Sequence, residues 1–445
     1  MSHYKPYPAY KDSGVRWLGK VPAHWSVGRL ANSFEERRAK VSDKDFPALS
    51  VTKLGVVPQL ENVAKTDDGD NRRMVLKGDI AINSRSDRKG ASGLADRDGS
   101  VSLIITVLTP KPSVWGEYCH HLIRSEIFQE EYFRVGNGLV ADLWTTNYSS
   151  MRTIFLARPP IEEQKAIASH LDRETARIDA LVEKKTRFIE LLGEKRQALI
   201  THAVTKGLGP GKPMKGSGVE WLGEVPEHWV IKRLKFIARV QTGVAKGKDL
   251  ADKDTIEVPY LRVANVQDGF LDLDEVATIE IDKRDLERYL LQLGDVLMNE
   301  GGDFDKLGRG HVWSGEISPC IHQNHVFAVR PHGVSSPWLN AFTSSAAAQF
   351  YFMGKSKQST NLASISSSNL MELPVPVPPE PEQFEILAEV QKNLEKLDNV
   401  VRKTERSIEL LREHRSALIT AAVTGQIDLR DTVAAASQID LRKTA

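Results

Sequence analysis

The chain has 445 residues, more than one hydrophobic core usually fills, which suits two or three domains. Its 60 basic and 59 acidic residues leave a net charge of +1, so no general attraction to a polyanion marks it, and any nucleic-acid surface has to come from local placement of Lys and Arg. A hydrophobic content of 41%, no apolar run of membrane-spanning length, and two cysteines (Cys119 and Cys320) without a CxxC partner point away from a membrane span, a disulfide framework or a zinc site and towards buried thiols.

The start, MSHYKPYPAYKDSG, lacks the apolar core and cleavage site of a signal peptide, so a cytoplasmic location is expected. Residues 13–30 read SGVRWLGKVPAHWSVGRL, and residues 217–234 read SGVEWLGEVPEHWVIKRL, with 12 of 18 positions identical. The chain therefore holds two copies of one unit. Residues 26–158 carry short β-rich runs such as SVSLIITVLT between Gly- and Asp-rich turns, the texture of a mixed α+β domain. A GD turn into a strand, KGDIAIN at residues 77–83, recurs as LGDVLMN at 293–299.

After Pro159 and Pro160 no proline occurs up to residue 205, and Leu171, Ile178, Val182, Ile189, Leu192, Leu199 and Ala203 keep heptad spacing. This predicts one long helix with an apolar seam. The same face returns 219 residues later as Val390, Leu397, Val401, Ile408, Leu411, Leu418 and Ala422, after Pro378 and Pro379. About 45 residues make a rod of roughly 65 Å, which needs a partner along its length, and the other copy is nearest to hand. Gly193 stands where the second helix has Arg412. Residues 206–216, KGLGPGKPMKG, read as a linker that neither extends the helix nor joins a sheet, and GLGPGK lacks the strand and the Ser or Thr of a phosphate-binding loop. The segments expected are a first globular domain over 1–158, a helix over 159–206, a linker over 207–216, a second domain over 217–377, a helix over 378–425, and a frayed or lightly docked tail over 426–445.

Two divergent domains, each followed by a repeated long helix, resemble the specificity subunit of type I restriction-modification systems. The resemblance is carried by SG-x-x-WLG-x-VP-x-HW at Ser13 and Ser217, by GKSKQSTNLASISSSNLMELPVPVPPEPEQ at residues 354–383, and by LLREHRSALITAAVTGQIDLR at 410–430. The first copy keeps the serine pair and the diproline but lacks the KQSTNL element. The resemblance implies an α+β fold with two mixed α/β target-recognition domains, whose helices pair as an antiparallel coiled coil with pseudo-twofold symmetry. It implies that each domain reads one half of a bipartite site in double-stranded DNA while the helices set the spacer. Implied partners are two methyltransferase subunits and restriction or translocase subunits. S-adenosylmethionine, and ATP with Mg2+, then belong to those partners, and this chain has no catalytic, cofactor or metal residues of its own. A subunit of a methylation-only system and a helical protein-binding adaptor are the alternatives.

Base reading needs Arg or Lys for guanine and Asn or Gln for adenine, with further cations on phosphates. In the first domain the candidates are Arg72, Arg73, Asn83, Arg85, Arg88 and Lys89. In the second they are Lys246, Lys248, Asn299, Lys306, Arg309, Lys355, Lys357 and Gln358. Trp17, His24 and Trp25, repeated as Trp221, His228 and Trp229, are expected to pack each domain on the helix frame, because base-reading residues should differ between domains that read different sequences. His120-His121 and the HQNH run at residues 322–325 lack a third nearby ligand and are expected in strands or the core.

Overall fold

The computed structural model describes residues 4–59, 69–85, 90–138, 144–209, 211–247, 250–302, 304, 307–358 and 363–430. They form two compact units: residues up to Lys185 together with those from Glu405 onwards, and residues Thr186–Thr404. Each unit thus holds one globular domain, the beginning of the long helix that follows it, and the end of the other long helix.

The repeated SGVxWLGxVP segment opens each domain as a hairpin. Tyr10–Asp12 pairs with Lys20–Pro22, and Met214–Gly216 with Glu224–Pro226. The serine hydroxyls explain the turn: Ser13 Oγ accepts from Val15 N and Ser217 Oγ from Val219 N, both at 3.1 Å. Gly14, Gly19, Gly218 and Gly223 take φ values of 60–76°, which a side chain would resist. The linker expectation is corrected here. Met214–Gly216 joins a sheet because an exposed two-stranded edge tolerates the glycine at its end.

The central sheet of each domain has four antiparallel strands in the same order. In the first it runs Phe34–Glu36, Ile105–Pro110, Ile80–Asn83, Ser92–Leu94, and in the second Ala238–Thr242, Val326–Pro331, Val296–Asn299, Gly310–Val312. Register places Ile80 opposite Leu108 and Val296 opposite Val329, all four fully buried. The GD turns explain the shared motif, since Gly78 and Gly294 adopt φ near 90° and the aspartates fold inward. Asp79 is gripped by Arg37 at 2.6 Å and by the Thr109 hydroxyl at 2.9 Å. Asp295 is gripped instead by Arg330, at 2.7 and 2.8 Å. The second, smaller sheets differ in order: Arg72–Val75 lies between antiparallel Gly99–Val101 and Lys40–Val41 in the first domain, while in the second Thr255–Leu261 lies between antiparallel Ala277–Asp282 and parallel Ile321–His322.

Two helices follow each central sheet, Gly116–Arg124 and Glu126–Arg134 in one, Ser336–Thr343 and Ala346–Lys355 in the other. Ser125 and Ser345 cap the second of each pair by accepting from Phe128 N and Ala348 N. A strand then returns to the domain's start, Phe155–Arg158 on Ser26–Arg29 and Pro374–Val377 on Val230–Arg233. The diprolines end this strand, and the long helices begin, Ile161–Lys206 with 46 residues and Glu380–Val423 with 44.

Within the first unit Ile167, Ala168 and Leu171 share one core with Leu418, Ile419 and Ala422, and Arg415 pairs with Asp179 at 2.9 Å. Within the second unit Ala203 and Val204 share one core with Ile386, Val390 and Leu394, and Arg196 pairs with Asp398. In both units the helices run antiparallel. Of the seam positions, Leu171, Ile178, Leu192, Val390, Ile408 and Leu418 are buried, and Val182, Ile189, Leu199, Leu397, Val401 and Leu411 are partly so. Thr175, which the apolar count passed over, is also buried and donates to the Leu171 carbonyl at 2.7 Å. Ala203 and Ala422 are buried as well.

The expectation of a frayed tail is corrected for its first five residues. Ile427 and Leu429 enter the first core, Asp428 N donates to Lys5 O at 2.8 Å, and the Arg430 guanidinium lies 5.2 Å from the Tyr7 ring centre. The second QIDLR lies outside the described residues. No described helix is long and apolar enough to cross a membrane.

Candidate nucleic-acid interface

The repeated His-Trp pairs hold each domain to the first turn of its long helix. Glu163 accepts from Tyr7 Oη at 2.6 Å and Trp25 Nε1 at 2.9 Å, and its other oxygen meets His24 Nε2 at 2.7 Å. Burial, and then the bond to this carboxylate, raises the Tyr7 hydroxyl pKa well above its ordinary value. Glu382 repeats the arrangement with His228 at 2.6 Å and Trp229 at 3.3 Å, and adds Lys212 at 2.8 Å. Burial works to raise the Glu382 pKa, but the bonds from Lys212 and His228 outweigh it and leave the value lowered. A carboxylate in the first turn also suits the positive end of the helix dipole. The next residue, a fully buried glutamine, ties down the domain's own loop. Gln164 accepts from Trp115 N, and Gln383 accepts from Ser335 N. Trp25 and Trp229 are fully buried, so neither ring is open to a base.

Just past the strands Ile80–Asn83 and Val296–Asn299, three segments pair in the same order in each domain and form a wedge, through single-residue bridges in the first and two-residue strands in the second. In the first, Arg85 and Asn137 each bridge to Thr145, and Thr146 N donates to Ser84 O at 2.9 Å. In the second, Gly301–Gly302 and Lys357–Gln358 flank Ala363–Ser364, and Ile365 N donates to Glu300 O at 2.9 Å. The backbone is shared and the side chains are not. Arg85 stands where the second domain has Gly301, and the first domain adds Phe133 stacked on Trp144 at 5.4 Å beside a small cleft of about 20 Å³ that Arg85 also lines.

The wedge gathers several of the sequence-derived candidates. Arg85, Lys357 and Gln358 are exposed on it, and Asn83 lies half-buried at its base, its Oδ1 accepting from Arg85 N at 3.1 Å. Arg309 is half-buried near Gly302, and Lys355 is exposed one step before the wedge. Lys246 is exposed on a neighbouring loop, 6.0 Å from the Tyr260 ring centre. Arg73 is half-buried against Glu36 at 3.2 Å.

Two candidates are removed from the surface. Arg72 is buried and donates to the Ser100 hydroxyl and carbonyl at 2.9 and 3.1 Å, because its strand faces the inside of the small sheet. Asn299 is 1% exposed and donates to Val266 O at 2.8 Å, which fixes a loop. Arg88, Lys89, Lys248 and Lys306 lie outside the described residues. The wedge residues Asn137, Trp144 and Thr145 were not found from sequence, since single polar residues in a turn carry no periodic signal.

The histidines take structural places. His120 and His121 lie on a helix rather than a strand, with His121 bonded to Asp172 at 2.6 Å. His322 is fully buried with Nδ1 at 2.7 Å from Val326 O, while His325 is exposed and faces Glu300 at 2.7 Å. Among the described residues no group of His, Cys, Asp or Glu is arranged to hold a metal. Both cysteines are free and buried, and burial pushes the Cys320 thiol up to about 12.

A family model described as the type I restriction modification DNA specificity domain matches residues 226–410. The chain is 23% identical over 329 residues to the type I restriction enzyme EcoKI specificity subunit of Escherichia coli (strain K12), a match covering 72% of this chain and 68% of that one. Among solved structures, a chain from a study of complex assembly and conformational transition of the type I R-M system matches with a TM-score of 0.69 at 17% identity, covering 92% of this chain and 99% of its own. The HsdS subunit from Thermoanaerobacter tengcongensis matches with a TM-score of 0.52 at 15% identity, covering 92% and 98%. At these identities the solved structures speak for the fold.

Proposed function

We propose that the chain is a specificity subunit of the type I restriction-modification family and that each globular domain reads one half of a bipartite DNA target. The observation that supports this reading most is the wedge: one backbone built twice, presenting Arg85 and Asn137 in one domain and Lys357 and Gln358 in the other. Arg, Lys, Asn and Gln are the side chains that distinguish guanine from adenine in the major groove. A repeated frame carrying different readers produces an asymmetric target. The long helices fix the spacer between half-sites, and their outward faces recruit methyltransferase subunits that carry S-adenosylmethionine. Restriction subunits with ATP and Mg2+ complete the assembly, which works on DNA in the cytoplasm. The chain itself supplies recognition and no chemistry.

Genome-wide mapping of adenine methylation tests this, in a methylation-free host carrying this gene, the neighbouring methyltransferase gene, both, or neither. A split motif that appears only with both is expected. Arg85→Ala is expected to relax or abolish one half of that motif only, at a cost of about 1–3 kcal/mol. No new methylation from two soluble, co-purifying proteins would refute the reading, and loss of both halves on Arg85→Ala would refute the role of this residue.

A further inference from the structure

A cleft of about 360 Å³ in the first unit runs from the Thr52–Gly55 turn, past the cap of the helix Glu126–Arg134, to the last third of the second long helix. Its charged lining is Lys53, Arg124, Arg412 and Arg415, against a single carboxylate, Glu126. Among the described residues only Arg415 has a carboxylate partner, Asp179 at 2.9 and 3.2 Å. Arg124 points its guanidinium at the Lys53 carbonyl and at His120 Nε2, 3.0 Å away. Burial, then Arg124 itself, pushes His120 down to about 4, so the ring stays neutral and offsets no charge. Burial and the nearby Arg415 also lower the Arg124 pKa. Lys53 and Arg412 are exposed and form no ion pair among the described residues. Lys53, Arg124 and Arg412 therefore line the cleft without a carboxylate partner among the described residues, while Glu126 in the lining and Asp179 beside Arg415 offset part of the charge.

The second unit lacks this arrangement at the matching place. Ser344 precedes the cap Ser345 where Arg124 precedes Ser125, and Gly193 occupies the helix position of Arg412. The charged residues lining the corresponding cleft are Arg309 and Asp268, of opposite sign.

We propose that the Lys53–Arg124–Arg412 cleft seats a backbone phosphate of the DNA, so that the helix frame itself grips the duplex at the first half-site. The assignment rests on the DNA-reading function proposed above. A phosphodiester is the favoured occupant because Gly90, which lines the small cleft beside Arg85, lines this cleft too. A phosphate there would follow the strand whose bases meet the wedge. Contacts to phosphate position a protein on DNA without selecting sequence.

The test measures binding of the full chain to a short random-sequence duplex by fluorescence anisotropy across a salt series. Lys53→Ala, Arg412→Ala and the double variant are compared with the unaltered chain, with thermal melts to show that these exposed substitutions leave the fold intact. The slope of log K against log salt is expected to shrink by about 0.9 for each lost contact, and by about 1.8 for the double variant. The methylated motif should stay the same. Unchanged slopes would overturn the proposal. With unchanged slopes, phosphate-dependent thermal stabilisation seen only in the unaltered chain would mark a free-anion site, and lost co-purification with the methyltransferase subunit would mark a protein-binding face. If the unaltered chain binds no duplex, the DNA-reading function falls as well; normal binding with unchanged slopes strikes the cleft alone.

Discussion

The two units repeat their joints almost atom for atom and differ where a partner would be met. Glu163 and Glu382 receive a histidine and a tryptophan in the same way, and Gln164 and Gln383 anchor the loop before each helix pair. Even a conserved requirement can change its supplier. The buried aspartate of the GD turn is neutralised in the first domain by Arg37, just past the strand Phe34–Glu36, and in the second by Arg330 from the strand Val326–Pro331. The fold needs a positive charge at that point and accepts it from either side, whereas the wedge and the basic cleft are free to diverge because nothing in the core depends on them.

The clamps give the largest expected contrast. Glu163 is 6% exposed and serves two buried donors, Tyr7 and Trp25, while Glu382 is 13% exposed and serves one buried donor, Trp229, beside His228 and Lys212, which reach solvent. Glu163→Ala strands buried donors and is expected to cost roughly 3–5 kcal/mol. Glu382→Ala should cost about 1–2 kcal/mol, since water replaces part of what is lost. Chemical denaturation of each variant checks the difference, and equal costs would show that the two clamps are energetically alike despite their exposure.

A smaller contrast comes from His120, which has no titrating counterpart in the second unit, where Asn340 holds the matching place. The groups that act on it are Arg124, His121 and Arg415, which lower its pKa, and Asp172, which raises it. Its folded pKa of about 4 lies below the ordinary 6.5, so the unfolded chain takes up the proton first as pH falls. The neutral ring's contribution is complete above about pH 6.5 and is lost as pH falls towards 4, by up to about 3 kcal/mol. His120→Gln should flatten the pH dependence of the first unit's melting in that window. An unchanged slope would place the acid sensitivity in the carboxylates.

The smallest effect concerns Gly193. A Cβ added there meets nothing within 4 Å, and the site is an exposed helix interior. Gly193→Ala is therefore expected to stabilise the second unit by about 1 kcal/mol, raising its melting temperature by a few degrees. A loss of stability would mean that the glycine answers a constraint that the helix geometry does not reveal.

Much of the architecture was legible in the residues. The hairpin motif, the diprolines and the heptad face each repeat, and repetition separates what the frame requires from what varies. The packing role of the His-Trp pairs followed from the same logic, and both tryptophans are fully buried. The basic loop at Arg85 was visible as a charge cluster. Its neighbours on the wedge were not, because Asn137 and Thr145 come from a segment more than 50 residues further along the chain. The docked first QIDLR was misjudged for a related reason: its Ile427 and Leu429 find their core among residues at the other end of the sequence.

The sequence by itself determined the duplication, the two long helices and the apolar face that each presents, since these are written in spacing and need no distant partner. Only the tertiary structure decided which charges remain available. Arg72 and Arg85 look alike along the chain, yet one is consumed by Ser100 and the other stands exposed. Arg124 and Arg412, 288 positions apart in a chain of 445 residues, line one cleft. Whether a cation is spent or free depends on what folding brings within about 4 Å of it, and that distance has no local signature in the sequence.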